Sequence, residues 1–231
     1  MISILMCSLN EEDTIEIALE SISNQSYAGN YEIILADSGS IDNTLQLASQ
    51  YCDRILNVPK GKLTARNIGT QYTEGDIIVS VDADSEYHSN WLENLLRPFQ
   101  NNGVIGVRGR TIHDDPTFAW NRIWTLFEDI SMLVVFPNRM PGRNSAYYKD
   151  MFYMSGGFDD SINQQVVEII IQEEEIGFGN RLAQLGKVIY TNNAICYHKH
   201  MGEDKMLCRA IAKIPGSRGI CKDYGIGTER F

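Results

Sequence analysis

The residues able to do chemistry gather at the ends of apolar segments. Val79-Ser80-Val81-Asp82-Ala83-Asp84 closes a strand-like run with two carboxylates. Alternation along a strand turns Asp82 and Asp84 to one side. Two carboxylates on one spot suit a hard divalent cation that carries phosphates, and without a cation or a hydrogen-bond donor the like charges oppose each other. Lys62 and Arg66 lie i, i+4 on a helical pattern just before that strand. Both therefore reach the same side, with Asp82 as an available partner; a solvated helix face is the plainer reading of the pair. Ser8-Leu9-Asn10-Glu11 and Asp37-Ser38-Gly39-Ser40-Ile41-Asp42-Asn43-Thr44 follow two further apolar runs, and their Asp and Ser residues also serve as turn and helix-cap residues. Glu173-Glu174-Glu175 reads either as the negative first turn of a helix or as a source of a base. His198 and His200, two apart after a strand pattern, are packed, solvated or a further metal ligand.

These positions need a scaffold that brings strand ends together, and the periodicity supplies one. Strands are expected at Ile2 to Leu9, Tyr31 to Asp37, Arg54 to Val58, Asp76 to Val81 and Val104 to Thr111. Helices are expected between them, at Glu12 to Asn24, Asn43 to Tyr51, Leu63 to Tyr72 and Trp91 to Phe99. Such alternation predicts a single α/β domain, a mostly parallel central sheet flanked by helices on both faces, with ligands at the carboxyl ends of the strands. After Thr111 the rhythm loosens into a helix around Trp120 to Val135, a Gly/Pro/Asn break at Pro137 to Asn144 and a Gly156-Gly157 turn. A helix carrying Glu173 to Leu185 follows, then short strands at Lys187 to Thr191 and Ile195 to His198, and a last helix at Asp204 to Lys213. Pro215-Gly216 ends that helix, leaving a Gly-rich remainder to Phe231.

Neither of the first two strand-to-helix turns is G-x-G-x-x-G, which disfavours a Rossmann dinucleotide site. Gly61-Lys62 is no Walker A motif, because Leu56 stands where the first Gly belongs and Leu63 follows the Lys. The 231 residues suffice for a sizeable core, and a hydrophobic share of 43% with 22% charged excludes disordered and fibrous classes. The longest apolar run, Ile130 to Phe136, is far shorter than the roughly 18 residues a spanning helix needs. Met1 to Leu5 has no basic leader, so the expectation is a chain that stays in the cytoplasm, with peripheral membrane attachment left open. The formal charge of −10 disfavours broad attraction to nucleic acid or anionic lipid. From Glu203 onward, however, six basic residues face four acidic ones, a local excess of +2. The five cysteines are odd in number and form no C-x-x-C, so neither a disulfide framework nor a zinc site is signalled and a reducing compartment is expected.

In their order these residues resemble the inverting family 2 glycosyltransferases, nucleotide-sugar enzymes of the GT-A fold. The pieces are Ser8-Leu9-Asn10-Glu11-Glu12, Asp37 to Thr44, Ala65-Arg66-Asn67-Ile68-Gly69 before Gly75-Asp76, and Asp82-Ala83-Asp84. Gly142-Arg143-Asn144-Ser145-Ala146, Gly156-Gly157-Phe158-Asp159, and Glu174-Glu175 with Arg181-Leu182 and Gly186 continue the series, so the likeness spans nearly the whole chain. It implies a GT-A domain at 1–202, with a nucleotide-binding half at 1–99 and an acceptor half at 100–202, and a C-terminal helix and tail or lid at 203–231. It implies that Ser8, Glu11 and Asp37 hold the nucleoside, with Arg66 and Lys62 nearby, and that Asp82, beside Ala83, contacts ribose or sugar. Asp84 would bind Mn2+ or Mg2+, with His198 and Asp82 as further ligands. Glu175 takes the position of the base and Glu174 is its neighbour. Cys7 and Leu9 stand where Pro and Tyr are common, and Gly177 where a second acidic residue is frequent, which leaves Glu174 or Glu173 as alternative bases. Asn144, Gly156 and Gly157 would lie on the acceptor side, and Arg209, Lys213 or Arg218 would close over the diphosphate.

The activity so implied is metal-dependent, inverting transfer of a sugar from a nucleoside-diphosphate sugar, UDP favoured, to an acceptor hydroxyl in one in-line displacement (EC 2.4 type, hexosyltransferase class). The acceptor class stays open between glycan, lipid-linked, protein and nucleobase hydroxyl or amine groups. A non-catalytic nucleotide-sugar or glycan-binding module of the same fold is the rival reading. Trp120, Ile123, Trp124, Phe127, Ile130 and Leu133 form a near i, i+3, i+4 stripe that reads as core, or as a surface for a lipid-linked acceptor or for a second subunit in a homo-oligomer.

Overall fold

The structure, a computed structural model, describes residues 1–113, 119–162 and 169–199. The expected helix at 204–213, the tail, His200 and the lid candidates Arg209, Lys213 and Arg218 lie outside the described residues, as do the side chains of Trp120, Trp124, Phe127 and Glu173.

Ile2–Ser8 (β1) is buried along its whole length, as befits an inner strand covered on both faces. It pairs in parallel with Tyr31–Asp37 (β2) on one side and Ile77–Asp82 (β4) on the other, and Arg54–Asn57 (β3) extends the sheet beyond β2. Ser85–Tyr87 (β5), Val104–His113 (β6), Asn144–Tyr148 (β7) and Lys187–His198 (β8) complete an eight-stranded sheet of order β3-β2-β1-β4-β7-β6-β8-β5. Strand β7 runs antiparallel between β4 and β6, and β5 antiparallel to β8; the rest share one direction. The sheet is mixed, with the parallel majority the alternation predicts.

Side-chain alternation divides the core in two. Ile4, Met6, Leu35, Val79 and Val81 face Ile15–Ser23 (α1) and Trp91–Leu96 (α4), where Leu19, Ile22, Trp91 and Leu95 are fully buried. The intervening residues Leu5, Ile34, Ala36 and Ile78 face the other way. There they meet Lys62–Gln71 (α3; Thr44–Ala48 is α2), Lys149–Met154 (α6) and Ile169–Ala183 (α7; Ala119–Ile130 is α5), through Leu63, Phe152, Phe178 and Leu182. Each fully buried Leu, Ile or Phe contributes about 1.5–3 kcal/mol, so these two layers hold the strand ends in place.

Strand β5 and helix α6 have no counterpart among the expected elements, and α1, β7 and β8 depart from expectation. Helix α1 starts at Ile15 rather than Glu12, because the preceding residues are engaged by the second strand-to-helix loop. Asn10 takes φ 55°, its Oδ1 accepts from Ile41 N, Glu11 N donates to Thr44 Oγ1, and Glu12 Oε2 accepts from Asn43. Strand β7 occupies the centre of the sheet directly after the Pro/Gly break. The two strands expected at 187–191 and 195–198 are one, β8, with a register irregularity opposite Arg108 and Arg110.

Candidate functional site

The register of the parallel strands sets the site. Ser8 is opposite Asp37 in the β1–β2 pair, and Cys7 is opposite Asp82 in the β1–β4 pair, so three strands end level with one another. Ser8 Oγ donates to Asp37 Oδ1 at 2.7 Å, and Asp37 Oδ2 accepts from Gly39 N at 3.0 Å and Ser40 N at 2.8 Å. Asp37 is 1% exposed. Its observed work is to fold the loop that follows it, the turn-forming role open to such a residue. Glu11 lies in the adjoining loop, where Thr14 Oγ1 donates to its Oε2 at 3.1 Å.

Asp82 is the last residue of β4, on the face that packs against α3, and there it meets both cations of that helix. Lys62 Nζ lies 2.7 Å from Oδ2 and Arg66 Nη2 lies 3.1 Å from Oδ1. Burial opposes the charge on Asp82, but Lys62 and Arg66 outweigh it and hold the carboxyl below its ordinary range. Arg66 is fully buried, sits over the Phe158 ring at 5.7 Å, and reaches Glu175 Oε1 at 3.7 Å with its other nitrogen. Ala83, 3% exposed, turns the chain out of the strand.

Because β4 ends at Asp82, strand alternation no longer governs Asp84. Its carboxylate points to β8, where His198 Nδ1 lies 3.3 Å from Oδ1. Burial again opposes the charge, and His198, then Lys62 and Arg143, overcome it and hold the Asp84 carboxyl far below its usual range. His198 is delivered by the β5–β8 pairing, which sets it opposite Ser85. An aspartate oxygen beside an imidazole nitrogen is a donor set that fits Mn2+ or Mg2+ in type. Among the described residues no group of three His, Cys, Asp or Glu side chains converges as a full cage.

The far wall comes from α7 and the turn before β7. Glu175 Oε2 accepts from Arg139 Nη2 at 2.8 Å and Nε at 3.1 Å, and Oε1 accepts from Gly142 N at 2.8 Å. Glu175 is 5% exposed; burial pushes its pKa up, and Arg139, Arg66 and the Gly142 N–H pull it further down. Glu174 Oε1 accepts from Arg181 Nη2 at 2.6 Å and Asp159 N at 2.8 Å, and so ties α7 to the Gly156-Gly157 turn. Arg181 also donates to the Gly157 carbonyl at 2.7 Å. Asn144 is wholly buried and has its side chain committed inside the protein. It accepts from Trp91 Nε1 at 2.8 Å and donates to the Arg110 and Ala194 carbonyls at 3.0 and 3.1 Å.

Four titratable residues at this edge carry no role in the sequence reading. Arg139 is hidden in a stretch that reads as a Gly/Pro/Asn break. Arg143 stands between two structural residues. His113 ends β6, and Glu128, on α5, accepts from its Nε2 at 2.9 Å. Burial pushes Glu128 up, but Arg143 and the His113 hydrogen bond bring it down to about 2. In the sequence Glu128 is one of an adjacent acidic pair with Asp129 on an amphipathic helix, which by itself points to a solvated face.

Comparison with known proteins is consistent with this geometry. The family model described as Glycosyl transferase family 2 matches residues 3–158. The glycosyltransferase AglE of Haloferax volcanii is 29% identical over 116 residues, 47% of this chain and 38% of that protein. The Escherichia coli UDP-Glc:alpha-D-GlcNAc-diphosphoundecaprenol beta-1,3-glucosyltransferase WfgD is 31% identical over 114 residues, 47% of this chain and 45% of that one. The chain thus spans less than half the length of these curated relatives. Among solved structures, the mannosyltransferase PcManGT from Pyrobaculum calidifontis, in complex with GDP-Man and Mn2+, superposes with a TM-score of 0.66 at 18% identity, over 91% of this chain and 60% of that one. The glucosyl-3-phosphoglycerate synthase from Mycobacterium tuberculosis, with Mn2+, UDP and glucosyl-3-phosphoglycerate, superposes with a TM-score of 0.64 at 22% identity, over 90% and 75%. The likeness to these two shows the shared GT-A fold.

Proposed function

We propose that this chain, which belongs to glycosyl transferase family 2, is a metal-dependent inverting glycosyltransferase that moves a sugar from a nucleoside-diphosphate sugar to an acceptor hydroxyl. The observation that carries the reading is the meeting of Asp82, Lys62 and Arg66 with Asp84 and His198 at the level edge of β1, β2 and β4. The Ser8–Asp37 loop, with Glu11 beside it, would cradle the nucleoside. Asp82, fixed by two cations, would accept from ribose or sugar hydroxyls. Asp84 and His198 would hold Mn2+ or Mg2+, which when bound neutralises charge on the leaving diphosphate. UDP is the favoured nucleotide, in keeping with the UDP-Glc in the name of the Escherichia coli relative and the UDP in the mycobacterial complex.

In this reading Glu175 takes the proton of the acceptor hydroxyl as its oxygen forms the new bond to the anomeric carbon. The bond to the diphosphate breaks on the opposite face, so the configuration inverts. Its cationic neighbours keep Glu175 ionised and thus in the protonation state a base needs. The same contacts favour a second reading, since both oxygens of Glu175 and one of Glu174 already accept hydrogen bonds. A carboxylate so engaged also suits a nucleotide-sugar-binding module without turnover, and catalysis requires the Arg139 contact to loosen. Release of nucleoside diphosphate from a panel of nucleotide sugars, with and without Mn2+, separates the two. Transfer or slow hydrolysis with one donor, dependent on Mn2+, is expected; donor binding with no release under any condition would favour the binding module.

A further inference from the structure

Arg143 differs from every other cation at this edge. Lys62, Arg66, Arg139 and Arg181 each hold a carboxylate at 2.6–3.1 Å. For Arg143 the nearest is Glu128 Oε2, 4.0 Å from its Nη1, and that oxygen is already bonded to His113 at 2.9 Å. Yet the position is tightly built. Gly142 N donates to Glu175, Ser80 Oγ donates to the Gly142 carbonyl at 2.8 Å, and the Tyr87 hydroxyl lies 3.0 Å from the Arg143 carbonyl. The same hydroxyl accepts from Asp82 N at 3.0 Å, so the Arg143 backbone is pinned to the end of the strand that carries the two aspartates. The side chain is 18% exposed, enough for its nitrogens to meet a ligand. The charges of Glu128 first, then Asp82, Glu175 and Asp84, stabilise its own charge against burial.

A guanidinium presents five donors in a rigid fork matched to phosphate or carboxylate oxygens. Held on a fixed backbone, facing the site and, among the described residues, lacking a carboxylate at hydrogen-bonding distance, such a fork is an oxyanion receptor. We infer that Arg143 reads a phosphate of the ligand bound over Asp82 and Asp84, and so acts as a specificity-determining residue of the site. The inference rests on the transferase reading for the ligand's location. Two sources carry this chemistry: the diphosphate of the donor, or a phosphate on the acceptor.

The test compares wild type with Arg143→Gln, which keeps most of the side chain without the charge, and Arg143→Lys, which keeps charge over Glu128 without the fork. Titration calorimetry with UDP, UMP and uridine, each in Mn2+, reads the donor source. If Arg143 holds the diphosphate, Arg143→Gln weakens UDP by about tenfold or more while UMP changes by less than about threefold, and Arg143→Lys recovers part of the loss. If the phosphate belongs to the acceptor, both nucleotides bind all three proteins alike, and inorganic phosphate added over saturating UDP and Mn2+ raises the melting temperature of wild type but not of Arg143→Gln. Equal responses of wild type and Arg143→Gln to UDP, UMP and phosphate would overturn the inference, as would equal losses on UDP, UMP and uridine, which carries no phosphate, since these mark general damage; equal losses on UDP and UMP with uridine unchanged place the contact on the first phosphate of the donor. Failure of wild type to bind any nucleoside diphosphate would instead sink the transferase reading, while the phosphate arm, run on the unliganded protein, still decides Arg143.

Discussion

The carboxylates of the site do different work because their neighbours differ. Glu175 is saturated by Arg139 and Gly142, so Glu175→Gln should separate chemistry from binding. Turnover should fall by about 10²–10⁴-fold, the usual share of a general base, with UDP affinity kept within about threefold. The unliganded protein should also melt lower, because Arg139 and Arg66 lose the charge they face in a buried setting. Unchanged turnover in that variant removes Glu175 from the base role. Glu128 makes a prediction about acid stability. Its folded pKa is lowered from 4.5 to about 2, so the stability it contributes is fully present above 4.5 and is lost as pH falls toward about 2. Urea unfolding midpoints of wild type should therefore drop more steeply below pH of about 4.5 than those of Glu128→Gln; parallel pH curves would show that the His113 and Arg143 contacts do not stabilise the ionised form. At this scale the sequence spoke unevenly. Helix spacing and the strand end put Lys62, Arg66 and Asp82 on one side, although a solvated helix face is the plainer sequence reading of the two cations. The arginines that face Glu175 and Glu128 come from α3 and the loop before β7, and nothing local in the sequence joins Arg139 to residue 175.

Elements with strong apolar patterning were legible to within a few residues, because β1, β2 and β4 are buried on both faces and read as continuous runs. Strand β7 was not, for a physical reason. Its first residues, Asn144 and Ser145, are polar yet buried, and the Asn144 side chain is satisfied by Trp91 and by the Arg110 and Ala194 carbonyls, which only the assembled sheet supplies. Three-residue β5 carries no usable period, and its role of setting His198 against the site emerges only from the pairing. The turn entering β7 is also where the backbone has least room. A Cβ on Gly142 would run into the Arg66 guanidinium, whereas one on Gly156 would meet nothing within 4 Å, its φ of +88° being the sole strain. Gly142→Ala should thus lower the melting temperature by more than Gly156→Ala, for which about 1–2 kcal/mol is expected. Equal shifts in thermal unfolding would mean that the Arg66 cluster yields without cost.

At the scale of the whole molecule, the order β3-β2-β1-β4-β7-β6-β8-β5 explains how residues from 8 to 198 share one edge. The alternating strands and helices announced a parallel sheet and its ligand edge, and the sheet is mixed because β5 and β7 are reversed. The net charge is −10, yet the site gathers the buried arginines Arg66 and Arg139 beside its carboxylates. No helix among the described residues is long and apolar enough to cross a membrane. The transferase reading turns on Asp84 and a divalent cation holding a nucleoside diphosphate together. Its most direct test is thermal unfolding of wild type and Asp84→Ala with UDP, GDP, dTDP, CDP and ADP, each with and without Mn2+. A ligand at about a hundred times its Kd adds roughly 2.7 kcal/mol, a shift of several degrees for a chain of this size. The account predicts that one nucleotide, UDP first, raises the melting temperature of wild type only with Mn2+ and leaves Asp84→Ala unmoved. No shift with any nucleotide, or a shift indifferent to both Mn2+ and Asp84, would contradict it.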